Sequence, residues 1–82
     1  MKLNKLKEIF DQKGVKNRYL AEILKKSEST ISLWRNNRRQ PSLEEFHTIA
    51  KLLRINIHEL IENTSWENEK SQTYEEFVKN KK

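Results

Sequence analysis

Cysteine is absent from the 82 residues, which excludes a disulfide scaffold and a thiolate zinc site, two common supports of small domains. A single glycine and a single proline supply too few turn residues for a sheet of short strands. No apolar run approaches a membrane span or a signal-peptide core, so we expect a cytoplasmic protein with no membrane partner. Folding at this length hides only about 60% of the unfolded surface, which disfavours a buried catalytic cleft. These absences together predict a small all-α binding module.

Charge is plentiful and unevenly distributed along the chain. Lysine and arginine number 17 against 12 acidic residues, and the formal net charge is +5. Residues 1–40 hold 11 bases and 4 acids, a net charge of +7, whereas residues 41–82 hold 6 bases and 8 acids, a net charge of −2. A basic half favours a polyanionic partner, with nucleic acid ahead of a membrane surface. The alternative is that these charges only solvate helix faces.

Apolar residues recur at helical spacing in five segments between residues 2 and 62. The first helix is expected over residues 2–12, because Gly14 follows where a left-handed C-terminal cap would lie. The second helix is short and begins near Asn17, whose side chain is placed either to cap it or to meet a ligand. Ser27 is placed to cap a third helix after a tight turn, and a polar loop over residues 36–40 follows that helix.

Two further helices begin with residues typical of a capping box. Ser42-Leu43-Glu44-Glu45 has the Ser-x-x-Glu form, and Asn56-Ile57-His58-Glu59 repeats a similar pattern before a short fifth helix. The predicted core of the five helices consists of Leu6, Phe10, Leu20, Ala21, Leu24, Ile31, Trp34, Leu43, Phe46, Ala50, Leu53 and Leu60.

The composition becomes polar from residue 64 onward. We therefore divide the chain into a domain over residues 1–63 and a C-terminal arm over residues 64–82, with Thr73 placed to cap one short helix in the arm. The rest of the arm is expected to be irregular or disordered.

Three segments of the chain resemble the phage-repressor helix-turn-helix family, also called the xenobiotic-response-element family. They are Asn17–Leu24 with its Leu-Ala pair, Ser27–Trp34 with Ser-x-x-Ile-Ser, and Arg38–Ser42 with Pro-Ser after a basic pair, followed by Ile49–Leu53 at the family's spacing. The resemblance spans about residues 3 to 61. It implies a five-helix, lambda-repressor-like domain that binds DNA, is usually dimeric, and regulates transcription.

The chain departs from the family's pattern at three positions. Asn17 stands where the family usually has Gln, and Lys25 stands where it usually has Gly in the turn between the second and third helices. Lys25 must then avoid a positive φ or accept strain of about 1 kcal/mol. The third helix ends with Arg35-Asn36-Asn37 in place of an acid, any residue and Gly, and Asn37 tolerates the left-handed conformation of that Gly.

A recognition helix in the major groove exposes its amino-terminal half to base edges while flanking groups hold phosphates. The residues expected to face bases are Glu28, Ser29, Ser32 and Leu33. The residues expected to contact phosphates are Lys16, Asn17, Arg18, Ser27, Asn36, Asn37, Arg38 and Arg39.

Several of these assignments keep a second interpretation. Glu28 either accepts a hydrogen bond from a cytosine amino group or only favours the positive end of its own helix. Lys16 and Arg18 are phosphate contacts or ordinary surface charges. The spacing of Trp34 from Ile31 favours the core over stacking on a base.

No group of residues predicts catalysis. No nucleophile, base and orienting acid fall together, and His47 and His58 lack neighbours in a metal-ligand arrangement. We assign no enzyme activity, no cofactor and no metal.

Two functions from different classes remain. The first is a sequence-specific regulator, such as a repressor, that binds a palindromic operator in double-stranded DNA as a homodimer. Ile55, Ile57, Ile61 and Trp66 are then dimer contacts, reinforced by the arm's Tyr74, Phe77 and Val78. The second is an antitoxin-type interaction protein whose arm folds onto a protein partner and whose DNA binding is autoregulatory. An RNA-binding or nonspecific basic domain is a weaker third hypothesis.

Overall fold

The computed structural model describes residues 1–81, and the fold over these residues is all-α, as the sequence predicts. The elements in chain order are α1 (Leu6–Lys13), α2 (Asn17–Leu24), α3 (Glu28–Arg35), α4 (Leu43–Leu53), a 3-10 turn (Ile57–Leu60) and α5 (Tyr74–Lys79). The expected fifth helix of the domain is therefore the single 3-10 turn. Over residues 1–81, no helix combines the length and the apolar character that crossing a membrane requires.

The first helix starts at Leu6, four residues later than the sequence predicts. The preceding residues instead pair with the end of the 3-10 turn, through an antiparallel bridge between Asn4 and Ile61. The Lys5 amide donates to the Leu60 carbonyl at 2.8 Å, and the Glu62 amide donates to the Leu3 carbonyl at 2.8 Å. These bonds take backbone groups that a longer helix would have used, so α1 begins only after the pairing ends.

One apolar core lies between the helices of the domain. It is formed by Leu6, Phe10, Leu20, Ala21, Ile31, Trp34, Phe46, Ile49, Ala50 and Leu60. Trp34 is 2% exposed, so its assignment to the core is confirmed. Ala21 is also buried, and α2, which carries it, packs directly on α3.

The assignment of Leu43 to the core is wrong, because its side chain is 73% exposed. Leu43 is the first residue of α4, and side chains on a helix tilt toward the amino terminus. The Leu43 side chain therefore projects past the end of the core. Leu24 and Leu53 are half-buried at the core margin.

The turn between α2 and α3 is tight. Lys25 has a φ of 57°, and the Lys26 amide donates to the Ala21 carbonyl at 2.9 Å, as in a Schellman motif. The Lys26 ammonium pairs with the Glu45 carboxylate at 3.0 Å. This ion pair connects the turn to the first turn of α4.

The residues from Asn63 to Lys81 are all exposed. Their one helix, α5, is capped by Thr73, which accepts a hydrogen bond from the Glu76 amide at 3.1 Å. Its Tyr74, Phe77 and Val78 side chains are 80%, 49% and 48% exposed. This segment therefore extends away from the core of the domain.

Candidate nucleic-acid interface

The amino-terminal half of α3 lies on the surface, and its carboxyl-terminal half is anchored in the core. Ile31 and Trp34 are 0% and 2% exposed. Ser29 lies opposite the face of α3 that carries Ile31 and Trp34, whereas Glu28 is the first residue of the helix and lies at the edge of that face; both side chains are exposed. The structure thus fixes the helix rigidly while leaving its first turn accessible.

Ser27 caps α3, as predicted from the sequence. Its hydroxyl oxygen accepts a hydrogen bond from the Thr30 amide at 3.1 Å and lies 2.9 Å from the Thr30 hydroxyl. The Ser27 side chain remains exposed. The two contacts with Thr30 use two of the three hydrogen-bonding positions of the Ser27 hydroxyl and leave the third for a ligand.

Ser32 and Leu33 are half-buried further along the same helix. The Asn36 side-chain amide donates to the Ser32 carbonyl at 3.0 Å. The Leu33 carbonyl accepts hydrogen bonds from the Arg38 amide at 2.9 Å and from the Arg39 amide at 3.2 Å. The end of α3 is thereby joined directly to the basic loop, which we define as residues 36–40.

Cationic side chains flank the start of α3 on two sides. Lys16 and Arg18 line one cleft together with Glu28. Arg39 lines another cleft with Thr30 and Lys26. The first turn of α3 therefore lies between two clefts that each contain cations, Lys16 and Arg18 in one and Arg39 in the other, since Lys26 is paired with Glu45.

The flanking cations are exposed and largely uncommitted. Lys16, Arg38 and Arg39 form no ion pair with any residue between 1 and 81. Arg18 lies over the ring of Tyr19, 4.8 Å from its centroid, and donates to the Tyr19 hydroxyl at 3.2 Å. The stacking holds the Arg18 guanidinium in place on the surface of α2.

Arg35, unlike these cations, is committed to contacts within the domain. Its guanidinium pairs with the Asp11 carboxylate and donates to the Asn17 side-chain oxygen at 3.1 Å. Arg35 thus ties α3 to the end of α1 and the start of α2. Asn17 is the first residue of α2, whose N-cap is Lys16, and it lines the same cleft as Lys16 and Arg18.

Asn37 has the left-handed conformation that the sequence predicts, with a φ of 58°. Its side-chain oxygen accepts hydrogen bonds from the Leu3 amide at 2.7 Å and from the Asn4 amide at 2.8 Å. Its side-chain nitrogen donates to the Asn4 carbonyl at 3.0 Å. Both ends of the Asn37 side chain therefore form hydrogen bonds within the domain, which leaves it less available for the phosphate contact expected from the sequence.

Asn4 and Gln40 are two site-associated residues that the sequence does not reveal. Asn4 is fully buried, and its side-chain nitrogen donates to Gln40 at 2.7 Å. The two residues are 36 positions apart, so no helical or capping pattern connects them. The neighbours of Asn4 in the sequence, Leu3 and Lys5, give no indication that it is buried.

Glu45 connects the start of α4 to the turn that precedes α3, through Ser42 and Lys26. The Ser42 amide donates to its carboxylate at 2.8 Å, and the Ser42 hydroxyl accepts from the Glu45 amide at 3.1 Å. The Ser42 bond, aided by Lys26, holds the pKa of Glu45 below its ordinary value. A charged Glu45 therefore stabilises both the α4 cap and the turn that precedes α3.

No group of three or more histidine, cysteine or acidic side chains within residues 1–81 is placed to hold a metal ion. His47 and His58 are both exposed.

Comparison with known proteins finds similarity to a protein family and to a solved structure. A family model described as helix-turn-helix matches residues 6–60, which contain α1 to α4 and the 3-10 turn. The fold is also similar to the crystal structure of "a putative DNA-binding protein from Bacteroides fragilis", with 44% sequence identity and a TM-score of 0.72. That similarity covers 76% of this chain and 100% of the other. No curated protein matches the chain significantly.

Proposed function

The chain belongs to the helix-turn-helix family, and from this premise we propose that it is a transcriptional regulator that binds double-stranded DNA in a sequence-specific manner. The observation that carries the proposal is the exposed first turn of α3, which lies between two clefts that contain cations. An α-helix fits the major groove of B-form DNA, where base edges present distinct patterns of donors and acceptors. Phosphates on both sides of the groove would then meet the flanking cations.

We assign the base contacts to the exposed residues of α3. Glu28 is placed to accept a hydrogen bond from a cytosine amino group, and Ser29 is able to donate or accept at several bases. Ser32 and Leu33 lie deeper, so they would contact bases only through the atoms that remain exposed. Glu28 and Ser29 therefore carry most of the proposed sequence preference.

We assign the phosphate contacts to polar and cationic groups that surround the exposed part of α3. Arg38 and Arg39 are the principal ones, because they are exposed and form no ion pair within the described chain. The others in the proposed set are Lys16, Asn17, Arg18, Ser27 and Asn36. These contacts fix the register of the protein on DNA and supply affinity without reading sequence.

We propose further that two copies bind a palindromic operator. One small domain buries too little surface for tight specific binding, and a dimer would place two recognition helices about 34 Å apart. Ile61 and Trp66 are 37% and 69% exposed and suit a dimer contact. Ile55 and Ile57 are half-buried and pack against the core of their own domain, so they contribute less than the sequence led us to expect.

A protein partner for the arm is the second candidate function. Tyr74, Phe77 and Val78 are exposed on α5, and none of them is buried against the domain. This arrangement suits an antitoxin-type protein whose arm binds another protein. Sedimentation of the Tyr74→Ala/Phe77→Ala variant distinguishes a second copy of this chain from a different protein partner. A weaker homodimer would assign these residues to a contact with a second copy. An unchanged homodimer would favour a different partner.

The experiment that tests DNA binding is selection of preferred duplexes from a random pool, followed by affinity measurements over a salt series. Arg38→Ala/Arg39→Ala should weaken binding to all duplexes and lower the salt slope by about 0.9 for each phosphate that is no longer neutralised. Ser29→Ala should instead change which duplex is preferred.

A matched control is Lys51→Ala/Lys79→Ala, which removes the same charge from exposed positions on α4 and α5. This control should leave the salt slope nearly unchanged. Equal losses in the two double variants would mean that net charge alone drives binding, and the proposed interface would then be incorrect.

A further inference from the structure

The domain contains a small cluster of amide side chains where an apolar core would be expected. Asn4 is 0% exposed and is the one polar residue among residues 1–81 that is fully buried. Asn37 and Gln40 are half-buried beside it. We refer to Asn4, Asn37 and Gln40 as the amide cluster.

The three side chains form a closed set of hydrogen bonds. Asn4 donates to Gln40 at 2.7 Å, Gln40 donates to the Asn37 side-chain oxygen at 3.2 Å, and Asn37 donates to the Asn4 carbonyl at 3.0 Å. Asn4 also donates to the Trp34 carbonyl at 2.9 Å and accepts from the Leu6 amide at 2.9 Å. No buried side-chain nitrogen or oxygen within residues 1–81 lacks a partner.

The cluster is attached to rigid elements on two sides. Through Asn4 it contacts the end of α3 at Trp34 and the start of α1 at Leu6. The segment that carries Asn4 is itself paired with residues 60–62 by the backbone bonds of Leu3 and Lys5. A fully satisfied buried polar network permits few alternative arrangements, because any other arrangement leaves a desolvated amide unpaired.

Arg38 and Arg39 lie directly between two members of the cluster, Asn37 and Gln40. Their backbone amides both bond to the Leu33 carbonyl, while their side chains extend to the surface. The segment that bears the two arginines is therefore held at each end by a half-buried amide side chain. Without these attachments a polar five-residue loop would sample many conformations.

We propose that the amide cluster positions Arg38 and Arg39 for phosphate binding, so that Asn4, Asn37 and Gln40 are positioning residues for DNA recognition. This inference rests on the proposed function. A loop held in its bound geometry avoids the entropy cost of ordering its side chains on DNA. The cluster touches no DNA in this arrangement and acts only through the two arginines.

The main test is Asn37→Gly, because glycine keeps the left-handed backbone at this position and removes only the side-chain attachments. We expect binding to every duplex to weaken about tenfold. The loop would then become ordered only when DNA binds, and the entropy cost of that ordering would lower the affinity. The ratio of specific to nonspecific affinity should be unchanged, because phosphate contacts carry no sequence information. Backbone order parameters of residues 38 and 39 should fall in the unbound variant.

A double-mutant cycle separates positioning from general destabilisation. If Asn37 acts through the arginines, Asn37→Gly should have almost no further effect on affinity once both are alanine. Ile49→Val, at a fully buried site outside the cluster, supplies a matched loss of stability and should bind DNA like the wild type. All affinities are measured well below the lowest melting temperature of the set.

Gln40→Ala serves as the second variant if Asn37→Gly fails to fold, because Asn4 keeps its bond to Trp34 in that variant. Losses that simply add in the cycle, or affinities equal to that of Ile49→Val, would overturn the inference while wild-type binding stands. A wild-type chain that binds no duplex would instead remove the proposed function, and the role of the cluster in DNA binding with it.

Discussion

Three residues other than glycine have a positive φ in residues 1–81: Lys25 at 57°, Asn37 at 58° and Arg54 at 56°. Asparagine adopts this conformation at low cost, whereas a left-handed backbone costs other L-residues about 1–2 kcal/mol. Lys25 and Arg54 each close a helix, α2 and α4 respectively, in the position where glycine is most favourable. The strain that the sequence left open at Lys25 is therefore present.

Replacing Lys25 by glycine should stabilise the domain. Relative to Lys25→Ala, which removes the same charge and keeps the backbone strain, Lys25→Gly should raise the free energy of unfolding by about 1 kcal/mol. Urea denaturation followed by the fluorescence of buried Trp34 measures the difference. Equal stabilities of the glycine and alanine variants would contradict the assigned strain.

Arg35 and Arg38 should respond differently to truncation. Arg35→Ala removes the bonds to Asp11 and Asn17 and should lower the free energy of unfolding by about 1 kcal/mol. Arg38→Ala removes an exposed side chain with no ion pair in residues 1–81, so its effect on stability should stay within about 0.5 kcal/mol. Thermal melts of the two variants provide the comparison, and similar losses would show that Arg38 also supports the fold.

At the scale of the element, the start of α4 depends on a charged carboxylate. The pKa of Glu45 is lowered by its bond from the Ser42 amide, with help from Lys26. A group whose pKa is lower in the folded state stabilises the fold above its unfolded pKa, near 4.3 for glutamate. That stabilisation disappears as the pH falls through the lower, folded-state pKa.

Glu45→Gln should therefore be less stable than the wild type at pH 7, by about 1 kcal/mol. The difference should shrink toward zero as the pH falls through the depressed pKa, because protonation then removes the same charge from the wild type. Glu44→Gln is the matched control, since it removes one neighbouring acid that does not contact Ser42 or Lys26. A constant difference at all pH values would exclude the assigned role of the charge.

Elements whose ends depend on nearby residues were predictable from the sequence. The caps at Ser27 and Ser42 each join residues three positions apart, and the left-handed conformation of Asn37 follows from its own side chain. The start of α1 was not predictable, because it depends on pairing between residues about 55 positions apart along the chain. A helix end that depends on nearby residues can be predicted from the sequence. A helix end that depends on pairing with a distant segment can be determined only from the structure.

The same distinction between local and distant contacts applies to the residues of the candidate site. The outward position of Ser29 follows from the spacing of Ile31 and Trp34, and the exposure of Glu28 follows from its place at the start of α3. The internal bonds of Arg35 and Asn37 were missed, because their partners lie 18 to 34 residues away. Charge and polarity alone do not distinguish a cation that is free to bind a phosphate from one that holds two helices together.

At the scale of the whole molecule, the family match ends at residue 60 and the residues from Asn63 to Lys81 are exposed. We infer that the domain folds without the arm. A chain truncated after Asn63 should change the free energy of unfolding of the monomer by less than about 0.5 kcal/mol. Urea titration at a concentration where sedimentation shows single copies is the appropriate measurement.

Truncation also tests assembly, because it removes Trp66 and the exposed side chains of α5. If these groups contact a second copy, the melting temperature of the full chain should rise with protein concentration and that of the truncated chain should not. A loss of more than about 1 kcal/mol in the monomer would instead show that the arm packs on its own domain.

The extended arm gives the chain a Cα radius of gyration of 16.6 Å and dimensions of 54 × 22 × 19 Å. A compact chain of this length would have a radius of gyration of about 12 Å. A single copy therefore has a large Stokes radius for its mass and should leave a sizing column early, in the volume of a heavier globule. Light scattering measures the molar mass independently of shape, so it is the method that distinguishes one copy from two.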